Sequence, residues 1–251
     1  MSQSTPLHIG TAGWSVPRAV AAAFPPEGSQ LSRYAAVLNA TEINTTFSRT
    51  HRADTFARWA AQTPAHFRFS VKLPRAMTHD ARLKVPRAEV RAFVDSLAGL
   101  GARLAVLLVQ LPPSLPLETR TARAFFRSLH ASFDGAIVCE PRHASWFSAA
   151  ADRLLVDERI GRVAADPARP AGADEPGGWL GEHGDGRGAV VYYRWHGSPR
   201  MYWSRYEDAF LQARAQALAR WPAGTSIWCV FDNTASGAAA DDALRFSALL
   251  G

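Results

Sequence analysis

Short apolar runs alternate with longer amphipathic segments along most of the chain. Eight runs have the length and composition of β-strands, and they are residues 7–13, 41–47, 66–73, 103–111, 135–140, 161–166, 189–197 and 226–233. The segments between most of them are long enough for helices, at 31–39, 53–62, 87–100, 118–131, 145–158, 203–220 and 236–250. Strands that alternate with helices are typical of parallel sheets joined by right-handed crossovers.

Eight such units predict a closed (β/α)8 TIM barrel that forms a single domain over residues 1–251. The alternative to a closed barrel is an open sheet with roughly one strand fewer or one strand more. In the barrel, the eighth strand is expected to pair with the first. One unit is irregular, because residues 167–188 are too rich in Gly and Pro for a helix of normal length. This segment predicts a long loop in place of most of helix six.

The composition is that of a folded globule, with 47% hydrophobic and 20% charged residues. No apolar run is long enough to span a membrane, and the N-terminus lacks a signal-peptide pattern, so we expect a cytoplasmic protein without membrane contact. Cys139 and Cys229 lie in apolar runs without metal-ligand spacing, which predicts buried reduced thiols. Nothing in the sequence indicates the oligomeric state.

The net charge of +6 favours anionic partners, either a small molecule or a nucleic-acid fragment. Only Lys72 and Lys84 among the 28 basic residues are lysines, and the arginines are spread along the chain. The charge alone therefore does not single out nucleic acid.

Polar side chains gather at the carboxyl ends of the predicted strands, as in the segment "EPRHASWF" at 140–147. If the bulky apolar parity of each strand faces the helices, the other parity points into the barrel mouth. The residues that would converge there are Glu42, Lys72, Gln110, Glu140, Arg194 and His196, with Asp232 after the eighth strand. Any one of them is explained equally well as a helix cap or an ion pair. Because buried charges are costly, so many together favour a functional pocket at this end.

These residue types suit acid/base chemistry on an anionic substrate. Lys72 and Arg194 would neutralise a phosphate or carboxylate, Glu42 or Glu140 would accept a proton, and His196 would return one. The predicted catalytic set is Glu42, Lys72, Glu140, His196 and Asp232. Lys72 is also a candidate for a Schiff base, but an adjacent carboxylate would favour the unreactive charged amine.

Two other readings stay open. A divalent metal suits the carboxylates and histidines, including His143 and Asp166, and would make the protein a metal-dependent phosphoesterase or sugar isomerase. Nearby cations oppose a metal and no HxH or HExxH motif is present, so neither a metal ligand nor a cofactor is predicted. The third reading is a non-catalytic module that binds nucleic acid or a phosphorylated ligand.

The loops after strands seven and eight resemble phosphate-binding loops. The predicted phosphate contacts are Gly197, Ser198 and Arg200 after strand seven, and Ser236 and Gly237 after strand eight. Ordinary helix capping by Thr234 or Ser236 is the alternative. Trp14, Trp146 and Trp195 are candidates for a stacking wall against a ring, with core packing as the alternative.

Seven ordered motifs resemble the domain-of-unknown-function-72 family. They are "IGTAGWS", "EINTTF", Lys72 with the "TH" pair that ends at His79, "VQLPPS", "EPRHASWF", "YYRWHGSPRMYWSRY" and "FDNTASGAA". Together they extend from about residue 8 to the C-terminus. The resemblance implies a TIM barrel and supplies no activity. It adds as substrate-binding positions Asn44, His79, Gln110, Arg142, Arg194 and Asn233, to which the residue analysis adds Trp14. Ser48 stands where the family often has tyrosine, and Phe24 is the only aromatic soon after "GWS".

Overall fold

The strands follow one another around one sheet in nearly the order of the chain. The computed structural model describes residues 6–181 and 190–251. The strands are β1 (Leu7–Ala12), β2 (Ala40–Ile43), β3 (Arg68–Lys72), β4 (Leu104–Gln110), β5 (Ala136–Glu140), β6 (Gly161–Arg162), β7 (Ala164–Asp166), β8 (Gly177–Gly178), β9 (Val190–Trp195) and β10 (Ser226–Phe231). The helices are α1 (Gln30–Ala35), α2 (Ala53–Ala61), α3 (Arg87–Ser96), α4 (Thr119–His130), α5 (Ala149–Asp157), α6 (Asp208–Ala217) and α7 (Ala238–Ala248).

Shorter helical turns connect several of these elements. The 3-10 turns are Arg18–Ala23, Thr45–Phe47, Leu97–Arg103, Ala144–Trp146 and Leu218–Arg220, and a π-turn covers Ala76–Asp80. Side chains cap several helices: Ser29 accepts the amide of Ser32 at the start of α1, and Ser148 accepts that of Ala151 at the start of α5. These hydroxyls satisfy amides that have no partner inside the helix.

The sheet is parallel from β9 through β10, β1, β2, β3 and β4 to β5. β10 pairs with β1 from Ile227 opposite Leu7 to Phe231 opposite Thr11. The predicted barrel class and the predicted pairing of the last strand with the first are therefore confirmed. Residue 189, predicted as the start of the seventh strand, lies outside the described residues.

The sixth strand is divided between its two neighbours. Gly161–Arg162 pairs with β5, whereas Ala164–Asp166 pairs with β9, and Val163 separates the two pieces. The Val163 amide still donates to the carbonyl of Cys139 at 2.8 Å. This split nearly closes the barrel and accounts, together with the short antiparallel β8 on β6, for ten strands where the sequence predicts eight.

Residues 167–181 form turns and the short β8 and contain no helix. The remainder of the predicted loop, residues 182–188, lies outside the described residues. The replacement of most of helix six by a loop therefore stays a prediction.

Alternating residues of each strand fill two separate apolar layers. Inside the barrel lie Ala40, Val106, Leu108, Val138, Val163, Val190, Tyr192, Trp228 and Val230. Residues of the opposite parity, such as Leu107 and Ile137, pack against the helices. Cys139 and Cys229 belong to this outer layer as buried free thiols, which confirms that prediction. The inward parity is the one that carries polar residues near the strand ends.

The second strand is shorter than predicted. It ends at Ile43, and Thr45–Phe47 forms a 3-10 turn instead of continuing the strand to residue 47. The Thr46 hydroxyl bonds to the carbonyls of Ile43 and Lys72 at 2.9 and 2.6 Å. Threonine side chains that bond to the backbone compete with the strand ladder, and this pattern explains the early turn.

Over residues 6–181 and 190–251, no helix has both the length and the apolar surface needed to cross a membrane.

Candidate functional site

The inward columns of β2, β3, β5 and β9 end in buried charged side chains. Each of the last two strands is followed by one more polar residue that turns toward the same point. The six side chains, all at most 7% exposed, are Glu42, Lys72, Glu140, Arg194, His196 and Asp232. We call Glu42, Glu140, Asp232, Arg194 and His196 the Arg194 cluster.

Arg194 lies at the centre of this cluster and bonds to three carboxylates. Its Nε and Nη2 donate to the two oxygens of Glu42 at 2.9 and 2.7 Å. Nη1 donates to Glu140 at 2.6 Å, and Nη2 also donates to Asp232 at 2.9 Å. Burial alone would lower the pKa of Arg194, but the three carboxylates hold that pKa well above its ordinary value. The guanidinium is therefore permanently charged, and four of its five N–H groups donate to carboxylates of the protein.

Two of the acids, Glu140 and Asp232, are held in their charged form. Burial raises the pKa of Glu140, but Arg142 and Arg194 together bring it well below the ordinary value for a glutamate. Burial likewise raises the pKa of Asp232, and Arg194 and a hydrogen bond from His196 lower it overall. These residues accept protons only weakly in the resting state.

His196 bridges two of the carboxylates. Its Nδ1 lies 2.9 Å from Asp232 Oδ2, and its Nε2 lies 3.0 Å from Glu140 Oε1. Arg142 forms an ion pair with Glu140, and its Nη2 lies 2.9 Å from the same Nε2. A protonated Nε2 donates to Glu140, whereas a bare Nε2 accepts from Arg142. The Nε2 atom of His196 thus has a hydrogen-bond partner whether or not it carries a proton.

Tyr192 and Ser70 support the cluster from below. The Tyr192 hydroxyl donates to Glu42 Oε2 at 3.1 Å and lies 2.6 Å from Ser70 Oγ. Burial and the Glu42 charge raise the pKa of Tyr192 well above its ordinary value, so it stays a donor. These two residues are absent from the predicted site. Their signal was the shared parity of Tyr192 with Arg194 on β9, and of Ser70 with Lys72 on β3.

Lys72 stands apart from these ion pairs. Its Nζ lies 4.1 Å from the centre of the Phe47 ring. In the part of the chain that the structure describes, its ammonium has no hydrogen bond and no carboxylate within ion-pair distance. Burial and then Arg194 lower its pKa, against the opposing effect of Glu42, Asp232 and Glu140. Lys72 is thus the one of the six buried charged side chains that forms no ion pair within the described residues.

Four of the predicted substrate-binding residues lie on the surrounding turns and strand ends. His79 is on the π-turn and meets the Phe47 ring edge-on, with 5.0 Å between ring centres. Gln110 ends β4 and donates to the carbonyl of Leu111 at 3.2 Å. Asn44 is half-buried before the 3-10 turn, not on the strand as predicted. Trp14 is half-buried edge-on against Trp59, 4.9 Å between ring centres.

Asn233 is directed away from the mouth. Its amide nitrogen donates to the carbonyl of Ser204 at 2.8 Å and to Asp242 on α7 at 2.7 Å. Asp242 also accepts the amide of Tyr206 at 3.1 Å. This residue, predicted to bind substrate, instead holds the loop after β10 against α7 and the preceding loop.

Two of the predicted phosphate donors already have partners. The Gly197 amide donates to the Tyr206 hydroxyl at 2.8 Å, and the Gly237 amide donates to the carbonyl of Thr234 at 3.1 Å. Ser236 donates to a backbone carbonyl and accepts an amide near α7, as a capping residue does. Ser198 and Arg200 are exposed on the loop after β9. The phosphate site stays a prediction that depends on these two side chains.

The predicted tryptophan wall is not formed by Trp146 and Trp195. Both are 1% exposed and belong to the core between sheet and helices. The exposed aromatic rings at the mouth are Tyr202 and Trp203, at 41% and 47% exposure. Tyr202 meets the His196 ring edge-on with 5.3 Å between ring centres, and the motif "PRMYW" was the only sequence signal for it.

Two guanidinium groups offset most of the negative charge of the cluster. Three carboxylates form ion pairs with Arg194 and Arg142, which leaves one formal negative charge before Lys72 and His196 are counted. Across the described ranges, no group of three or more His, Cys, Asp or Glu side chains has an arrangement that could hold a metal ion. The guanidinium of Arg194 occupies the position between the carboxylates.

Two cavities lie away from the mouth. One of about 530 Å³ adjoins the start of β5 and the ends of α4 and α5, at the opposite end of the barrel. The other, of about 570 Å³, lies between the Leu83–Arg87 segment and α4. Neither is lined by a residue of the Arg194 cluster, and the charged groups at the strand ends mark the site more clearly than cavity size does.

Comparisons with known proteins agree with this architecture. A model of the family described as "Protein of unknown function DUF72" matches residues 8–251. The UPF0759 protein YecE of Escherichia coli K12 is 30% identical over 176 residues, which are 68% of this chain and 62% of that protein. The UPF0759 protein YunF of Bacillus subtilis is 27% identical over 151 residues, 57% of this chain and 52% of that protein. The aligned part thus spans less than two thirds of these relatives.

Solved structures share the fold. A DUF72 family protein from Enterococcus faecalis superposes with a TM-score of 0.80 at 18% identity, over 97% of this chain and 95% of that one. One from Thermotoga maritima gives 0.77 at 23% identity, over 98% and 99%. Because the family model matches nearly the whole chain, the chain belongs to the DUF72 family of barrel proteins.

Proposed function

We propose that this protein is an enzyme that performs acid/base chemistry, as a hydrolase, lyase or isomerase, on an anionic substrate of phosphorylated or nucleotide type. The reaction takes place at the carboxyl-end mouth of the barrel. The observation that supports this most is the Arg194 cluster, in which five buried ionisable side chains from the ends of four strands meet at the end of the barrel where TIM-barrel enzymes carry their active sites.

A purely structural role explains the cluster poorly. The lower barrel interior is filled by apolar side chains such as Leu108 and Trp228, which need no ion pairs. Buried ion pairs seldom stabilise a protein more than apolar residues of similar size would, because removing the charges from water is costly. A cluster of this size at the strand ends is therefore best explained by the chemistry it supports.

The roles follow from the contacts. His196 is the group that moves a proton, because its Nε2 lies between Glu140 and Arg142. Asp232 fixes the orientation of the ring through Nδ1. Arg194 is a positioning residue in this proposal, which revises its predicted role as the ligand of the substrate anion. Lys72 and Arg142 are the cations that remain to face an anion.

A metal-dependent reaction has less support from the geometry. Glu42, Glu140 and Asp232 already share one guanidinium, so a metal ion would have to displace Arg194 from hydrogen bonds of 2.6 to 2.9 Å.

The test is a turnover screen with phosphorylated sugars, nucleotides and phosphorylated carboxylic acids. We expect the wild type to convert at least one member, and His196→Gln to lose about 10²- to 10⁴-fold in rate, the usual worth of a general acid or base. His66→Gln is the matched control, because His66 is exposed and remote from the cluster. A wild-type rate that His196→Gln leaves unchanged would contradict the assignment.

A second candidate is a nucleic-acid-binding module, which the cavity between Leu83–Arg87 and α4 favours. Its cationic lining residues are Lys84, Arg87, Arg120, Arg123 and Arg127, and no acid lines it. Arg123 and Arg127 pair with Glu158, whereas no ion pair within the described ranges involves the other three cations. A groove with three cations outside ion pairs suits the phosphates of a nucleic-acid strand.

Fluorescence anisotropy with a short single-stranded oligonucleotide tests this candidate. Replacing Lys84, Arg87 and Arg120 together by Glu should abolish binding, and neutral replacement should reduce the slope of log K against log salt by roughly 2. The control replaces three other exposed arginines, Arg52, Arg58 and Arg153, in the same way. Equal losses in both triple variants would show an effect of net charge alone.

A further inference from the structure

Lys72 lies near three carboxylates that form their ion pairs with other residues. Its ammonium has no ion-pair or hydrogen-bond partner in residues 6–181 and 190–251, although three carboxylates lie near enough to influence it. Each of these carboxylates bonds to Arg194. The objection that an adjacent carboxylate would hold the lysine in its unreactive charged form is therefore weakened, because Arg194 and Arg142 offset two of the three negative charges and no acid forms an ion pair with the ammonium within the described residues.

Burial makes the charged form of Lys72 less favourable than in water. The side chain is 7% exposed and its nitrogen lies over the Phe47 ring, so water solvates the ammonium poorly. The charged groups that act on it are Arg194 from β9, Glu42 from β2, Glu140 from β5 and Asp232 after β10. His79, on the π-turn after β3, in turn has its pKa lowered by burial and by the Lys72 charge. The lowered pKa of Lys72 agrees with this geometry.

We propose that Lys72 forms an imine with a substrate that carries an aldehyde or ketone near a carboxylate or phosphate. The amine nitrogen attacks the carbonyl carbon, and the electron pair of the broken C=O π bond goes to oxygen. Both hydrogens of the neutral amine leave with that oxygen as water, so that one C=N bond replaces one C=O bond and no redox partner is needed. This inference rests on the proposed function, since it names the substrate class for the same mouth.

The anionic group of the substrate follows from the remaining charge. Arg142 lies at the rim with a side chain 12% exposed, and Arg200 is exposed on the loop after β9. Either guanidinium suits a carboxylate or a phosphate. The imine would then draw electrons from the neighbouring carbon, where His196 provides the proton-transfer group.

The sequence makes the test unusually clean, because Lys72 and Lys84 are the only lysines of the chain. The full-length protein is incubated separately with glyoxylate, pyruvate and dihydroxyacetone phosphate, each with sodium cyanoborohydride, which reduces an imine to a stable amine. Intact mass and peptide mapping then locate the adduct. We expect a single adduct on the Lys72 peptide with at least one probe, complete loss of it in Lys72→Arg, and no loss in Lys84→Arg.

The outcomes separate this inference from the proposed function. No adduct on Lys72 in the wild type, or equal labelling of Lys72 and Lys84, would overturn the imine proposal. If inorganic phosphate still bound at the mouth in that case, the proposed function would stand. An adduct on Lys72 that excess inorganic phosphate suppresses would support both. The wild-type mapping decides the inference even if Lys72→Arg fails to fold.

Discussion

Replacing Arg194 by methionine tests the energetic reasoning behind the site. The substitution keeps much of the side-chain volume but removes four hydrogen bonds of 2.6 to 2.9 Å to Glu42, Glu140 and Asp232. Because these acids are at most 4% exposed, they cannot regain water easily. Breaking a buried ion pair by removing one partner costs about 3–5 kcal/mol, a large part of the roughly 5–15 kcal/mol of a typical domain.

The same variant should have a characteristic pH dependence. In the wild type, Glu140 and Asp232 have lowered pKa values, so they stabilise the fold above the pKa of unfolded carboxyls and lose this effect as the pH falls through the folded values. In Arg194→Met the buried acids lack the Arg194 counter-ion, so protonation removes the cost of burying their charge. The difference in unfolding free energy between the two proteins should therefore shrink between about pH 7 and about pH 4.

Reversible urea unfolding at several pH values measures this difference. The control is Arg91→Met, because Arg91 forms an exposed i,i+4 pair with Asp95, with side chains 76% and 66% exposed. Such a pair is worth about 0.3–0.5 kcal/mol. A cost for Arg194→Met below about 1 kcal/mol, or one that does not change with pH, would refute the view that Arg194 is the essential counter-ion.

Three further outcomes are expected. Tyr192→Phe should destabilise the fold by about 1.5–3 kcal/mol in urea unfolding, because Glu42 loses a buried donor; an effect within error would show that this bond is dispensable. Lys72 should react with a carbonyl probe and cyanoborohydride at lower pH than Lys84, since burial lowers the Lys72 pKa, and identical pH profiles by peptide mapping would contradict this. Gly197→Ala should lower the midpoint of thermal unfolding, because Gly197 has φ 92° and an added Cβ would lie 2.6 Å from the carbonyl oxygen of Ser204; an unchanged midpoint would argue against the observed loop.

The barrel and most of the site could be predicted because both depend on side-chain alternation. Glu42, Glu140 and Arg194 share the inward parity of apolar residues lower in the same strands, and Lys72 shares that of Ser70 on β3. A parallel sheet brings strand ends together whatever the loops do. Side-chain alternation was therefore enough to predict that these residues lie close together.

The parts that could not be predicted depend on contacts between distant segments. The hydroxyl of Thr46 ends β2 by bonding to Lys72, which is far along the chain. Asn233 is drawn to Asp242 on α7, and no local pattern reports such a partner. The split at Val163 arises because one short strand pairs with two different neighbours.

The role of Arg194 could not be read from the sequence for a similar reason. Its charge suggested an anion ligand, but the number of carboxylates around it decides whether the guanidinium remains available. Three of them converge on it in the folded chain. Lys72 is left without such partners because the ammonium lies over Phe47 instead.

A crystal structure of the protein soaked in phosphate tests the central claim most directly. We expect a phosphate at the mouth that contacts Lys72 and Arg142, while Arg194 keeps its bonds to the three carboxylates. Phosphate found only in the groove of Lys84, Arg87 and Arg120, with the mouth empty at saturating concentration, would contradict the account and favour the nucleic-acid-binding candidate.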